Sequence, residues 1–396
     1  MRLTIVTRAA LNKIKIGLDA RFALGERRGI GNFSLDLFRA MAVLPHPFEL
    51  VFYSDREDTE GLLSQFPNSR VRVIRPGIYP IWEQVRLPLA LLQDRIQVFH
   101  AVGNTGPILL SGSIKRVLTI HDVMFLKPES ELPRSPSLYQ RMGRIYRRIV
   151  APRAGRRADL TFTDSEFSRQ DILASIPGLD PLKVKIAYVG LPRHFLVSPP
   201  SIGTHPLQGQ DYLLHLGALD PRKNTALVVK TFLALRRQKA IKEHLVILGL
   251  KSLDALGLTP MESQEVKESI HFPGYVPESA MPAFYRHARA FLFPSLYEGF
   301  GIPLIEAMAC GTPIIASNTT SLPEIAGNAA RLINPKSGDQ LKGAILELLG
   351  SPVLQMELIA RGKERTREFC WDNTARKTLD AYSQLISQGE SLNFIH

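Results

Sequence analysis

Short apolar runs alternate with amphipathic stretches along almost the whole chain, the pattern of strands connected by helices. Runs at 15–19, 48–53, 71–74, 98–101, 117–120, 160–165 and 184–189 predict a first set of strands, with a helix over 32–43. A second set follows at 212–219, 244–248, 269–276, 290–294, 313–317 and 330–333. Helical spacing and end signals predict helices over 225–238, 278–287 and 302–310, another opening at 337–339, and a last one over 372–387 with Asp372 as its N-cap. Between the two sets, 196–209 (LVSPPSIGTHPLQG) is rich in Pro, Gly and Ser without periodicity and reads as a linker. The expectation is an α/β chain of two domains, 1–200 and 201–371, followed by a terminal helical segment, 372–396.

The 396 residues suffice for two hydrophobic cores, and no apolar run approaches the ~18 residues of a membrane span. The opening MRLTIVTRAALNK is interrupted by Arg8 and too short in its apolar part for a secretory signal, so it reads as an extension before the first strand. Two cysteines, Cys310 and Cys370, make neither a disulfide framework nor a metal set, which points to a reducing cytoplasm. The net charge is +12, and the basic excess lies almost entirely in the first 200 residues, so an acidic partner is expected there. Residues 132–158 contain no acid and eight arginines: Arg134, Arg141, Arg144, Arg147, Arg148, Arg153, Arg156 and Arg157. Tyr139, Met142, Ile145, Tyr146, Ile149 and Val150 recur among them at helical spacing. Either this helix spends its apolar stripe on the core, or the stretch from Arg134 to Arg157 meets anionic lipid headgroups at ~1 kcal/mol per basic side chain. Nucleic acid is not expected, because no recognised binding motif accompanies the charge.

Candidate chemistry is densest at 293–324, FPSLYEGFGIPLIEAMACGTPIIASNTTSLPE. A strand, a turn with Gly299 and Gly301, and a helix N-terminus with Pro303 at its start make an anion pocket. Glu298 and Glu306 would oppose a phosphate there unless they face hydroxyls, so the combination points to a nucleotide-sugar site. Three other places invite the same reading: the glycines Gly29 and Gly31 in RRGIG, the pair His121-Asp122 at a strand's carboxyl end, and Arg222 and Lys223 at the exit of the 212–219 strand. By spacing alone the glycines equally make a tight turn, the bases are commonly solvated, and a packed or surface histidine is favoured.

Glu298-Gly-Phe-Gly with a second Glu eight residues on resembles the E-x7-E motif of the retaining GT-B glycosyltransferases of the GT4 family, and the flanking text follows the family's wording. RRGIGNFS, TIHDVMFLKPE and LGALDPRKN resemble that family's glycine loop, T-I-H-D segment and phosphate-binding segment. The resemblance implies a GT-B fold, two facing Rossmann-like domains with the C-terminal helix crossing back to the first. It implies that Gly29 and Gly31 border the donor phosphates and the acceptor entrance, and that His121 contacts the donor sugar near its reacting carbon. Lys223 would grip the diphosphate; many relatives carry an arginine where this chain has Ala218, so either Arg222 supplies that guanidinium or diphosphate binding leans mainly on Lys223. Glu298, Gly299, Phe300, Gly301 and Ile302 would hold the donor at the sugar end, and Glu306 its ribose hydroxyls. His121, Glu298, Lys223 and Arg222 are the candidate catalytic set.

The implied reaction moves a hexose from a nucleoside-diphosphate sugar to an acceptor hydroxyl with retention of configuration. No Asp-x-Asp is present, so neither a metal nor a cofactor is expected. The wording of the glycine loop and of T-I-H-D leans towards GDP-mannose, with a glycan or lipid-linked oligosaccharide as acceptor in surface-polysaccharide assembly, at the cytoplasmic face of a membrane. A UDP-sugar, dTDP-sugar or other nucleoside-diphosphate-sugar donor, a nucleotide-sugar 2-epimerase on the same fold, and a non-catalytic membrane-bound scaffold with a vestigial nucleotide pocket are the alternatives.

Overall fold

The computed structural model describes residues 13–393 except 26, 28, 76, 129–137, 197–205 and 255–267. The expected N-terminal extension, Arg28, Arg134 and most of the expected linker therefore lie outside the described residues.

Two parallel sheets form. The first runs β3-β2-β1-β4-β5-β6-β7, from β1 (Lys15–Asp19), β2 (Glu49–Ser54), β3 (Ser69–Val73), β4 (Val98–Ala101), β5 (Lys115–Thr119), β6 (Leu160–Thr163) and β7 (Val184–Ile186). Its register places Lys15 beside Glu49 and Asp19 beside Tyr53. The second runs β10-β9-β8-β11-β12-β13, from β8 (Tyr212–Leu216), β9 (His244–Leu248), β10 (Ile270–Gly274), β11 (Ala288–Phe293), β12 (Ile314–Ser317) and β13 (Arg331–Ile333). Strands such as β4, β6 and β12 are buried at every position. That is why β4 and β12 read as largely continuous apolar runs, while β6 alternates Leu and Phe with buried Thr161 and Thr163. Phe232, Leu245, Ile247, Leu292, Ile315 and Leu348 belong to the core around the second sheet.

Packing divides the chain into two compact units, 1–119 with 149–161 and 375–396, and 120–148 with 162–374. In the first unit, the end of β1 is built on buried charge. The Arg21 guanidinium pairs with Asp19 at 2.8 Å and Glu83 at 3.3 Å, and lies over the rings of Tyr79 and Trp82 at 4.2 and 4.0 Å. Such a buried cation is tolerated because it is paired and its donors are used. The following helix, Gly29–Val43, starts three residues before the expected Asn32 and takes both glycines into its first turn. Gly31 is required there by close approach, since a Cβ would stand 2.3 Å from the Phe22 carbonyl oxygen. Here a helix packs onto a turn rather than leaving a loop.

The last helix, Trp371–Asn393, begins one residue before the expected N-cap. Asp372 lies inside its first turn, where its charge favours the helix dipole, and the N–H groups of Asn373 and Thr374 turn to the Cys370 carbonyl instead. The helix returns to the first unit as expected. Tyr382 is fully buried, bonds His100 Nδ1 at 2.6 Å and meets the Phe48 ring edge-on. Replacing Tyr382 by Ala is expected to cost about 3–5 kcal/mol in urea unfolding of that unit, and by Phe only about 1 kcal/mol. Equal costs would mean that the hydroxyl, not ring packing, docks the helix.

Candidate active site

The loop after β11 has almost no freedom, and neighbouring segments account for it atom by atom. Glu298 N–H donates to Thr320 Oγ1 at 3.3 Å, and the Ser321 hydroxyl donates to the carbonyls of Glu298 and Phe300 at 2.9 and 2.8 Å. The Gly299 carbonyl accepts from the hydroxyls of Ser165 and Ser168 at 2.6 and 2.8 Å. Tyr297 ties the same loop to Asp171 at 2.7 Å. Ser165, Ser168 and Asp171 all belong to the first turns of the Glu166–Ser175 helix or its cap. That helix is held in turn by Glu324, whose carboxylate accepts the N–H groups of Glu166 and Phe167 at 2.8 and 3.1 Å and the Tyr188 hydroxyl at 3.0 Å. A carboxylate at a helix N-terminus satisfies orphan donors and complements the dipole.

Gly299 and Gly301 serve different ends. A Cβ on Gly299 would stand 3.0 Å from both the His121 carbonyl oxygen and Asp122 Cβ, so its lack of a side chain lets the loop reach the end of β5. Gly301 has φ +106°, a conformation that glycine alone adopts cheaply, and starts the Ile302–Ala309 helix with no side-chain cap. Other helices of this unit are capped by the hydroxyls of Ser337 and Ser351. The Phe300 ring is buried against Tyr188 and Phe369.

The turn after β8, Pro221–Lys223, is joined to this loop through the Leu296 N–H, which donates to the Arg222 carbonyl at 2.7 Å. Lys223 Nζ meets Glu298 Oε1 at 2.7 Å and lies 5.1 Å from the Phe293 ring centre. Arg222 turns the other way and grips Asp220 with Nε at 3.0 and 2.9 Å and with Nη2. Asn224 carries the turn into the next helix with φ +56°, its amide held by the carbonyls of Pro294 and Pro335.

Beyond β5, His121 Nδ1 lies 2.8 Å from Asp164 Oδ2, at the end of neighbouring β6. This bond fixes the imidazole plane. Burial pushes the Asp122 carboxyl up, against the opposing pull of the Met124 N–H, His121 and Arg222. Burial also pushes Glu306 up to about 7, although the Tyr285 hydroxyl donates to its Oε2 at 2.9 Å and Lys223 favours its charge. The structure thus brings His121, Lys223, Glu298, Gly299, Gly301, Ile302 and Glu306 into one unit with Arg222 and Phe300, while Gly29 and Gly31 belong to the other unit. Asp164, Ser165, Ser168, Tyr285 and Glu324 were not singled out in the sequence. A signal existed for Asp164, which ends a buried parallel strand where ligands gather.

Comparison with known proteins gives a consistent result. A model described as "Glycosyl transferases group 1" matches residues 203–365, and one described as "Glycosyltransferase Family 4" matches 27–192. O-antigen chain mannosyltransferase B of Escherichia coli is 28% identical over 379 residues, 90% of this chain and 96% of that protein. O-antigen chain mannosyltransferase RfbU of Salmonella typhimurium is 24% identical over 307 residues, 77% of this chain and 78% of that protein. Among solved structures, a sucrose-phosphate synthase from Thermosynechococcus elongatus superposes with TM-score 0.69 at 17% identity, over 95% of this chain and all of that one. HepE from Anabaena, in complex with UDP and glucose, gives 0.67 at 16%, over 94% of this chain and all of that one.

Glu306 supplies a test of the site's electrostatics. Its folded-state value is raised, so the folded protein holds the proton more tightly than the unfolded chain. That contribution to stability is complete below about 4.5 and is lost as the pH rises through about 7. Glu306→Gln is therefore expected to flatten the decline of urea stability across this window. An unchanged slope would show that Glu306 ionises as it does in water.

Proposed function

The chain belongs to the family 4 (group 1) glycosyltransferases, retaining hexosyltransferases of GT-B fold, and from that premise we propose that it transfers mannose from GDP-mannose to a hydroxyl of a glycan or lipid-linked oligosaccharide in surface-polysaccharide assembly. The observation that carries the site assignment is the Lys223–Glu298 pair, 2.7 Å apart and followed by an uncapped helix N-terminus at Gly301. A lysine and free helical N–H groups are what a diphosphate requires, and carboxylates beside them are what sugar and ribose hydroxyls require. The mannose assignment is supported by relatives that are O-antigen mannosyltransferases.

In the proposed reaction Lys223 stabilises the charge that collects on the departing diphosphate, aided by the backbone N–H groups at Gly301 and Ile302. Glu298 holds the sugar and stabilises oxocarbenium character. Glu306, as a carboxylate, accepts the ribose hydroxyls, and the His121 imidazole, oriented by Asp164, meets the sugar near its reacting carbon. The bond from the anomeric carbon to the phosphate oxygen breaks, and the acceptor oxygen bonds to the same face. The acceptor's proton passes to the leaving phosphate oxygen, so configuration is retained without a glycosyl-enzyme. Arg222, engaged by Asp220, contributes less than Lys223.

A thermal-shift series with GDP, GDP-mannose, UDP, UDP-glucose and dTDP tests the donor, since a ligand of the folded state raises the midpoint. The largest shift is expected from the guanine nucleotides. A larger shift from UDP or dTDP would overturn the mannose assignment, and conversion of the sugar by enzyme and donor alone would favour an epimerase.

The roles divide by substitution. Lys223→Ala is expected to weaken GDP binding about 10- to 150-fold, the value of a charge-assisted hydrogen bond. Glu298→Gln should abolish transfer while largely sparing GDP binding, and unchanged turnover would remove Glu298 from the mechanism. Asp164→Asn should lower kcat with little change in GDP affinity, and equal losses in both would reduce Asp164 to a structural role.

A further inference from the structure

The helix Leu138–Arg157 spends Val150 of its apolar stripe on the core but leaves Met142, Ile145 and Ile149 out of it. Met142, Ile145 and Ile149 are 63%, 58% and 48% exposed, while the residues that pack inward are Val150, Ala151 and Ala154. At 100° per residue, Met142, Ile145 and Ile149 fall on one line, and the exposed Arg153 and Arg156 continue it towards the helix C-terminus. Arg141 and Arg148, both exposed, flank this line on one side. The helix is fastened along that same flank. Arg144 donates to the Phe125 and Lys127 carbonyls at 3.4 and 2.9 Å, and Arg148 to those of Leu126 and Lys127 at 3.2 and 3.1 Å. Three bulky aliphatic side chains therefore face outward on a 20-residue helix that carries no acidic residue.

We infer that this face docks on the surface of an anionic lipid bilayer, with Met142, Ile145 and Ile149 entering the headgroup boundary and the arginines meeting lipid phosphates. Charge complementarity selects this occupant. Arginines alone would suit any polyanion, and aliphatic side chains alone would suit a second protein. A line of aliphatics running into arginines, without a single carboxylate, suits a surface that is apolar just beneath a layer of negative charge. The helix lies on the bilayer and does not span it. No single helix among the described residues is long and apolar enough to cross a membrane. An enzyme held this way meets a lipid-linked acceptor in two dimensions instead of three.

The test is co-sedimentation of the full chain with phosphatidylcholine vesicles, with and without added phosphatidylglycerol as the anionic lipid. One variant carries Ile145→Ser and Ile149→Ser. A second carries Arg141→Ser, Arg153→Ser and Arg156→Ser, which leaves the anchoring Arg144 and Arg148 in place. The native chain is expected to bind only the anionic vesicles and to be released by salt. The arginine variant should lose about fivefold in partitioning for each residue replaced, and the isoleucine variant should also bind more weakly. A GDP-induced thermal shift that survives in both variants shows that they fold and separates this surface from the donor site. Absence of binding to anionic vesicles overturns the inference. So does binding that the isoleucine variant retains in full, because the surface would then be a general polyanion site, nucleic acid included.

Discussion

The carbonyl of Gly299, held by two serine hydroxyls, and its α-carbon, pressed against His121 and Asp122, are the contacts on which the placement of the candidate catalytic groups depends. With Gly299 seated, the preceding Glu298 points to Lys223 and the following Gly301 opens a helix with its N–H groups uncapped. A side chain at Gly299 would have to displace backbone, which a close-packed interior does not accommodate cheaply. Hydroxyls and carboxylates of the Glu166–Ser175 helix and of Glu324 then fasten what the glycine permits. The site is a rigid loop on rigid supports, as preorganised electrostatic stabilisation requires.

Charge within the site is arranged in pairs. Lys223 has Glu298 and Arg222 has Asp220, while Asp164 holds the His121 ring. Asp122 and Glu306 instead have their acidity weakened, chiefly by burial. Lys223 offers a positive charge, whereas the buried Glu306, its acidity weakened, can gain hydroxyl donors. The ligand of the proposed function, a sugar and a ribose joined by phosphates, meets both demands. The buried Arg21 pair in the first unit has a different task. With its two carboxylates and two aromatic rings it anchors the end of β1, and the Phe22 carbonyl beside it leaves room only for a glycine at position 31.

The alternation of apolar runs and amphipathic stretches was enough to read two parallel α/β sets and the order of their elements, because strands buried on both faces leave continuous apolar runs in any sequence. The E-x7-E segment was legible because its turn, helix start and both glutamates lie within ten residues. Asp164, Ser165, Ser168 and Glu324 were not. Gly299 and Ser165 are 134 residues apart, Glu324 and Glu166 158, and no local period records such a pairing. The starts of two helices were misplaced for a similar reason. Gly31 is helical because its close approach to Phe22 outweighs glycine's poor propensity, and Asp372 lost its cap position to the Cys370 carbonyl.

The arginine-rich helix shows the same division most clearly. Its composition established that the stretch would be helical and basic, and left open whether Met142, Ile145 and Ile149 face the core or the solvent. Periodicity specifies which side chains share a face but not what that face meets. That depends on where Val150, Ala151 and Ala154 find their partners. Sequence alone therefore determined the fold class, the E-x7-E motif and the basic character of the first half, all properties of local pattern. Only the tertiary structure decided which groups orient His121 and Gly299 and which apolar side chains remain exposed, because these depend on contacts between residues far apart in the chain.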